Sequence, residues 1–252
     1  MSKPHKILVI GDSHASPSVS QRRFHWAGKF IHDVRPDVIV DMGDFADNDS
    51  LSSYDRGKAS FEGRRYAKDV EAAQEAREIL DSYIVRLGKK PRLIALKGNH
   101  ESRSDRYADD HPEMQGQISS NDFKPHRWEY HDFLHKVNVS GFTFSHYFVS
   151  GVQERPIGGE HAAYSLLQKE LRSCVAGHSH LRDFCERSSG NRRVQCMVVG
   201  CFVDPTWRPH YAQVSRDMWW AGLTVLSNAY AGQADTITQV GINALQRTYG
   251  GK

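Results

Sequence analysis

Five short apolar runs in this chain each end abruptly in a cluster of polar residues. The runs occupy residues 6–10, 38–42, 92–96, 142–145 and 174–176, and the clusters that follow them are GDSHA, GDFAD, KGNHE, His146 and GHSH. Runs this short and rich in Ile, Val and Leu are typical of strands buried on both faces. In open α/β sheets the carboxyl ends of the strands meet in one crevice, so we expect the polar clusters to converge.

Helical patterns lie between these runs. Residues 22–34, 64–87 and 160–171 space apolar side chains three and four positions apart, which places them on one helix face. Alternation of strands and helices predicts a parallel or mixed sheet covered by helices. In the last third, residues 194–203, 222–226 and 236–240 predict strands with little helix between them, and we expect them to form a second, more antiparallel sheet packed on the first.

Length and composition favour a soluble globular protein. The chain has 252 residues and no internal repeat, so we expect a single domain over 1–252 with loop insertions at about 48–63 and 101–127. Hydrophobic residues make up 39% and charged residues 25%, and no apolar run approaches the roughly 18–20 residues of a membrane span. Residues 1–10 lack a secretory signal pattern, so we expect a cytoplasmic protein with no membrane partner. The net charge of +3 is compatible with a phosphate-bearing substrate but does not indicate nucleic acid.

Metal-ligand side chains follow all five predicted strands. They are Asp12, His14, Asp44, Asn99, His100, His146, His178 and His180. A single His or Asp after a strand is more often a turn or capping residue. Here D-x-H, G-D, G-N-H-E and G-H-x-H occur in order, and Gly11, Gly43, Gly98 and Gly177 permit sharp turns at these positions. The combination indicates a metal site rather than incidental histidines.

This order of motifs resembles the calcineurin-like metallophosphoesterases, and the match runs from Asp12 to His180. The resemblance implies an α/β fold, a two-sheet αββα sandwich with helices on the outer faces, and a centre of two divalent metal ions. It assigns Asp12, His14 and His180 to the first metal, Asn99, His146 and His178 to the second, and Asp44 to a bridge between them. His146 rests on the shortest motif, and His135 and His161 are weaker candidates.

The chemistry of a two-metal centre explains these residue types. Two cations about 3.5–4 Å apart repel each other, and a shared carboxylate such as that of Asp44 offsets the repulsion. The pair also lowers the pKa of a bridging water, and the resulting hydroxide attacks phosphorus in line. His100 is not a ligand in the family pattern, so we assign it to catalysis as a general acid or charge stabiliser at the leaving oxygen. Oxygen and nitrogen ligands without a thiolate suit Mn²⁺, which we favour, and also Fe, Zn²⁺ or Ni²⁺.

The segment 43–49, GDFADND, distinguishes this chain from several branches of the family. It lacks the arginine of the G-D-x-V-D-R-G motif of the protein phosphatases, and it has Asp47 where the recombination nucleases place a histidine. It resembles the cyclic-nucleotide-phosphodiesterase-like branch, which carries G-D-x-x-D and G-N-H-E, and also uncharacterised phage and bacterial members. We therefore favour a phosphodiesterase that acts on nucleotides or on DNA or RNA as a nuclease. A phosphomonoesterase and a non-catalytic scaffold of the same fold are the alternatives.

Two further groups of residues are candidates for substrate contacts. Arg103 and Arg106 follow the GNHE motif closely enough to reach a substrate phosphate, although a solvated surface side chain is the preferred interpretation of each. Trp207, Trp219 and Trp220 offer rings on which bases can stack, although packing in the interior is the preferred interpretation. The sequence gives no indication of the oligomeric state.

Overall fold

The computed structural model describes residues 3–190, 192–209 and 212–251, and within these ranges it contains five α-helices. They are α1 (Arg22–Val34), α2 (Tyr66–Ile84), α3 (Ser102–Asp110), α4 (Ala162–Glu170) and α5 (Ile242–Tyr249). The strands are β1 (His5–Ile10), β2 (Val38–Asp41), β3 (Arg92–Leu96), β4 (Glu129–His131), β5 (Val137–Val139), β6 (Phe142–Ser145), β7 (Val149–Ser150), β8 (Arg155–Pro156), β9 (Cys174–Ala176), β10 (Arg182–Ser189), β11 (Arg192–Val199), β12 (Gly222–Ala229) and β13 (Thr236–Gly241).

Two mixed sheets contain all of these strands except the small β7–β8 hairpin. The first sheet has the order β13-β12-β1-β2-β3-β4. Strands β1 to β4 are parallel, whereas β12 pairs antiparallel with β1, and β13 pairs antiparallel with β12. The second sheet has the order β10-β11-β9-β6-β5, with β9 parallel to both of its neighbours and antiparallel pairs at the two edges.

Alternating side chains divide the interior into three apolar layers. In β1, Leu8 and Ile10 pack against α1, α2 and α5, whereas Ile7 and Val9 pack against the second sheet. On the outer face of the second sheet, Leu166 and other residues of α4 cover β9 and β11. The layers therefore run helix, sheet, sheet, helix, which confirms the predicted αββα sandwich with helices on its outer faces.

The prediction for the last third of the chain is partly wrong. Of the three predicted strands only 194–203 contributes to the second sheet, as β11, while β12 and β13 extend the first sheet beyond β1. The centre of the second sheet comes instead from β6 and β9 in the middle of the chain. The physical reason lies in β12, where Leu223 and Val225 pack toward the helices and Leu226 packs toward the second sheet. A strand with both faces covered fits the interior of the sandwich, beside β1.

The segments predicted as loop insertions contain short helices. Residues 48–63 form three single 3₁₀ turns, and residues 101–127 contain α3 and two more such turns. Helix α3 has the sequence SRSDRYADD, whose few apolar residues gave no helical stripe. No helix in the described part of the chain is long and apolar enough to cross a membrane.

A buried arginine ties α1 to two loops at the carboxyl ends of strands. The Arg23 side chain donates from Nη2 to Ser13 O at 2.7 Å, from Nε to Phe202 O at 2.9 Å and from Nη1 to Ser20 O at 2.8 Å. Burial lowers the pKa of Arg23 to about 10, so the guanidinium remains charged at neutral pH. Hydrogen bonds from a charged donor contribute about 1.5–3 kcal/mol each, and here they fix the backbone next to His14.

Candidate metal centre

Loops at the ends of five strands bring the predicted ligands together. The loops after β1, β2, β3, β6 and β9 carry Asp12, His14, Asp44, Asn99, His100, His146, His178 and His180. Hydrogen bonds, ion pairs and ring contacts link all eight side chains into one cluster. The two other histidines that the sequence offered lie elsewhere: His135 stacks on His131, and His161 precedes α4.

The first group of ligands consists of Asp12, His14 and His180, all buried. His14 Nε2 faces His180 Nε2 at 3.0 Å, and His180 Nε2 lies 3.2 Å from Asp12 Oδ2. Asp12 Oδ2 is buried and accepts no hydrogen bond with good geometry. Two facing imidazole nitrogens beside an unsatisfied carboxylate oxygen form a donor set that a divalent cation would satisfy. These residues therefore fit a metal ion.

The second group consists of Asp44, His146 and His178, with Asn99 beside them. His146 Nε2 lies 3.0 Å from Asn99 Oδ1 and 3.4 Å from Asp44 Oδ2. The other ring nitrogen of His146, Nδ1, hydrogen-bonds Met42 O at 2.8 Å, and this contact directs Nε2 toward the side-chain oxygens of Asn99 and Asp44. The donor atoms again fit a cation.

Asp44 contacts both groups, but through different atoms. Its backbone oxygen accepts a hydrogen bond from His14 N at 2.9 Å, and its Oδ2 faces His146 in the second group. Although burial acts to raise it, the charges of His146 and His100 hold the pKa of Asp44 well below its usual value. Burial acts to lower the pKa of His146, but the charge of Asp44 raises it to about 10. The Asp44 carboxylate is therefore ionised and belongs to the second group, and its role as a bridge stays a prediction.

The backbone is strained at four predicted ligands. His14, Asp44, His178 and His180 have φ values of 46°, 49°, 68° and 59°, in the left-handed region that residues with a Cβ rarely adopt. Such conformations cost of order 1–3 kcal/mol each and cluster at functional sites. The surrounding structure must stabilise them, and Glu101 does so for Asp44.

Glu101 is a residue whose role the sequence did not reveal. Its carboxylate accepts hydrogen bonds from the backbone N–H groups of Asp44 at 3.1 Å, Ala46 at 2.9 Å and Gly98 at 2.9 Å. It therefore joins the loop after β2 to the loop after β3. Gly98 is required there because a Cβ at that position would overlap Asp44. The only signal in the sequence was the position of Glu101 at the end of GNHE.

Asp47 is the second residue whose role at the centre the sequence did not reveal. Its Oδ1 lies 3.0 Å from His14 Nδ1 and 3.2 Å from His100 Nδ1. Although burial acts to raise it, hydrogen bonds from His100 and His14 hold the pKa of Asp47 below its usual value. Asp47, His14 and His100 are close enough to form a third group of metal-ligand type, which shares His14 with the first group. A carboxylate that binds Nδ1 orients the imidazole ring, so Asp47 directs His14 Nε2 toward His180.

Replacing Asp47 with asparagine should therefore weaken metal binding. We expect the affinity for Mn²⁺ to fall about 10- to 100-fold, because His14 loses the carboxylate that orients its ring. Titration of the metal-free protein with Mn²⁺ by calorimetry measures this change. Asp132→Asn is the matched control, since the Asp132 side chain is 90% exposed and its ion-pair partner is Lys97 rather than a predicted ligand. An unchanged Mn²⁺ affinity in Asp47→Asn would show that Asp47 does not position His14.

The predicted substrate arginines lie on α3, at the edge of the centre. Arg103 is half-buried, and its Nη2 lies 2.9 Å from His100 Nε2, while its Nη1 donates to Asp47 O at 2.9 Å. Arg106 is exposed and donates to Asn99 O at 3.1 Å. Arg103 is thus held against the catalytic candidate His100.

Two tryptophans flank the first group. The Trp207 ring stacks on His14 at 5.3 Å between centroids, and the Trp219 ring lies edge-on to His180 at 4.0 Å. Both are half-buried, and the segment between β11 and β12 carries them. Trp220 is half-buried as well and packs closely against Gly200 and Gly222. None of the three rings is fully buried, and Trp207 and Trp219 in addition contact predicted ligands.

Comparisons with known proteins bear on the family. Among solved structures, the chain is similar to YfcE, a phosphoesterase from E. coli, with 16% identity and a TM-score of 0.41, covering 94% of this chain and 100% of that one. It is also similar to a protein of Thermus thermophilus, with 9% identity and a TM-score of 0.40, covering 95% and 99%. A third similar structure is that of a conserved protein from Streptococcus pneumoniae described as a predicted phosphoesterase, with 12% identity and a TM-score of 0.35, covering 96% and 99%.

No curated protein matches the chain significantly. The family model described as calcineurin-like phosphoesterase matches residues 5–222, which is most of the chain and includes every predicted ligand. The chain therefore belongs to the calcineurin-like phosphoesterase family, whose members are metal-dependent phosphoester hydrolases.

Proposed function

We propose that the protein is a phosphodiesterase that uses two divalent metal ions, Mn²⁺ by preference, to hydrolyse nucleotide or nucleic-acid phosphodiesters. The observation that carries the proposal is the proximity of two groups of metal-ligand side chains, with the Asp44 carboxylate in the second group and the Asp44 backbone oxygen on His14 of the first. A carboxylate shared by two cations would offset their repulsion. A scaffold protein would have no need of this buried and strained arrangement.

Each metal ion has a ligand set among the described residues. One ion would be held by Asp12, His14, Asp44 and His180, and the other by Asp44, Asn99, His146 and His178. When bound, such a pair activates a water molecule and offsets negative charge on the phosphoryl oxygens. The donor atoms are oxygens and imidazole nitrogens, with no thiolate, a set that suits Mn²⁺ and also Fe, Zn²⁺ or Ni²⁺.

Three further residues would act on the substrate itself. Arg103 already lies beside His100, so a phosphate oxygen near His100 is within reach of a charge-assisted hydrogen bond from the guanidinium. Arg106, three residues further along α3, would contact the same phosphate from the solvent side. His100 would act on the leaving oxygen.

The motifs of the centre support a diester over a monoester. Asp44 and Asp47 match G-D-x-x-D, and residues 98–101 match G-N-H-E. The cyclic-nucleotide-phosphodiesterase-like branch, which this chain resembles, carries the same two motifs. The preference for a diester rests on that resemblance.

Hydrolysis of two model substrates tests the proposal. The protein is stripped of metal, reloaded with Mn²⁺, and assayed with bis-p-nitrophenyl phosphate and with p-nitrophenyl phosphate, with His100→Asn assayed in parallel. We expect metal-dependent turnover of the diester with a higher kcat/KM than that of the monoester. Preferential turnover of the monoester would make the protein a phosphomonoesterase. No turnover of either compound with two bound metals per chain would contradict hydrolysis and favour a scaffold.

A further inference from the structure

A small cavity adjoins the first group of ligands. Its volume is about 210 Å³, and its walls include Trp207, Arg64, Asp47, Asp49 and Asp55. Pockets for whole small molecules usually measure about 300–1,000 Å³, so this cavity suits one ring of a larger substrate.

Two walls of the cavity contact His14, a predicted metal ligand. Asp47 is both a wall of the cavity and the partner of His14 Nδ1, at 3.0 Å. Trp207 is also a wall, and its ring stacks on His14 with an angle of 29° between the planes. A group bound in the cavity would therefore lie close to a phosphate held at the metal centre, near enough to belong to the same molecule.

The charges in the cavity largely offset one another. Arg64 Nη1 lies 2.7 Å from Asp49 Oδ1 and 3.0 Å from Asp55 Oδ2, so the guanidinium is paired with both carboxylates. Arg208, a second arginine in the walls, pairs with Asp217 at 2.8 Å. A charged ligand of either sign would have to break these ion pairs and would leave groups of its own sign unpaired beside it. An uncharged planar ring with polar edges would not be repelled by the charged groups in the walls. It would place one face on the indole of Trp207 and exchange hydrogen bonds with Asp49 and Arg64.

We infer that this cavity is a nucleobase subsite, in which the base of a nucleotidyl phosphodiester stacks on Trp207 while its phosphate lies at the metal centre. The inference deepens the proposed function and rests on it for the position of the phosphate. A base stacked on an aromatic side chain gains enough free energy to change affinity about tenfold or more. The subsite would make the substrate a nucleotide or nucleic acid rather than a diester without a base.

Calorimetry with two phosphate ligands tests the subsite directly. Adenosine 5′-monophosphate and ribose 5-phosphate carry the same phosphate charge and differ only in the base. We expect the Mn²⁺-loaded protein to bind the adenosine compound about tenfold more tightly. Trp207→Ala should abolish this preference, and Trp207→Phe should retain most of it because phenylalanine keeps an aromatic face.

Two controls separate the subsite from the metal centre. Because Trp207 also contacts His14, any damage to the metal centre should weaken both ligands equally, whereas loss of the subsite weakens only the ligand with a base. Ser18→Phe provides a second variant, since Ser18 is an exposed wall residue and a larger side chain there should obstruct the cavity. Tyr164→Ala removes a half-exposed aromatic ring from α4, on the outer face of the second sheet, and should change neither affinity.

The outcomes distinguish the two proposals. Equal affinities of the wild-type protein for the two ligands, or an equal loss of both in Trp207→Ala and no effect of Ser18→Phe, would overturn the subsite. If the protein prefers the adenosine compound but hydrolyses no diester, the proposed function fails and the subsite stands. If it hydrolyses diesters without any preference for a base, the function stands and the subsite fails.

Discussion

Asp44→Asn is expected to lose bound metal and hydrolytic activity together, with a fall in kcat/KM of at least about 10²–10³-fold. Asparagine has the shape of aspartate but no charge, so two neighbouring cations would repel each other without compensation. The side chain is only 2% exposed, and water cannot replace the lost charge at that position. Metal content per chain and kcat/KM for bis-p-nitrophenyl phosphate, measured on the same preparation, give the result.

The substitution should leave the fold intact. The backbone N–H of Asp44 still donates to Glu101, and its carbonyl oxygen still accepts from Ser13 N and His14 N. Circular dichroism should therefore match that of the wild-type protein. Asp132→Asn makes the same chemical change at a 90% exposed side chain and should retain metal and activity. Two bound metals and full activity in Asp44→Asn would refute a bridging role.

The layered fold could be predicted because its central strands are buried on both faces. In β1, the side chains of Leu8 and Ile10 face the helices, and those of Ile7 and Val9 face the second sheet. Because both faces are apolar, the strand appears in the sequence as an uninterrupted apolar run. The assignment of β12 to a sheet could not be predicted in this way. The apolar pattern says that both faces of a strand are covered, but it does not say which strand lies beside it.

The predicted ligands converge because each directly follows a strand, and the carboxyl ends of neighbouring strands lie at one end of the sandwich. The residues that support the ligands follow no such rule. Asp47 and Glu101 act through contacts with loops 33 to 57 positions away in the chain. Trp207 reaches His14 from a segment that joins β11 to β12. Neither spacing nor periodicity records such contacts, so only the structure reveals them.

His100 occupies a position between the predicted ligands and the substrate arginine. Its Nδ1 hydrogen-bonds Asp47 O at 2.7 Å, and its Nε2 faces Arg103 Nη2 at 2.9 Å. Because a guanidinium has no acceptor, Arg103 donates to Nε2, and Nδ1 therefore carries the ring proton. Burial and the charge of Arg103 lower the pKa of His100. To act on a leaving oxygen as a general acid, Nε2 must release Arg103 and take up a proton. A phosphate that binds Arg103 would free Nε2 and, by offsetting the guanidinium charge, favour its protonation.

His100→Asn is expected to keep both metals and to hydrolyse diesters with unactivated alcohol leaving groups about 10²–10⁴-fold more slowly. The loss of rate should be smallest when the leaving group is nitrophenolate, a stable anion that needs little help in leaving. Rates for a series of diesters with leaving groups of graded basicity, measured for the wild-type and variant proteins, give the comparison. His25→Asn, at an exposed position on α1, is the matched control and should be unaffected. An equal loss with every leaving group would mean that His100 instead positions Arg103, because a defect in phosphate binding does not depend on the basicity of the alcohol that leaves.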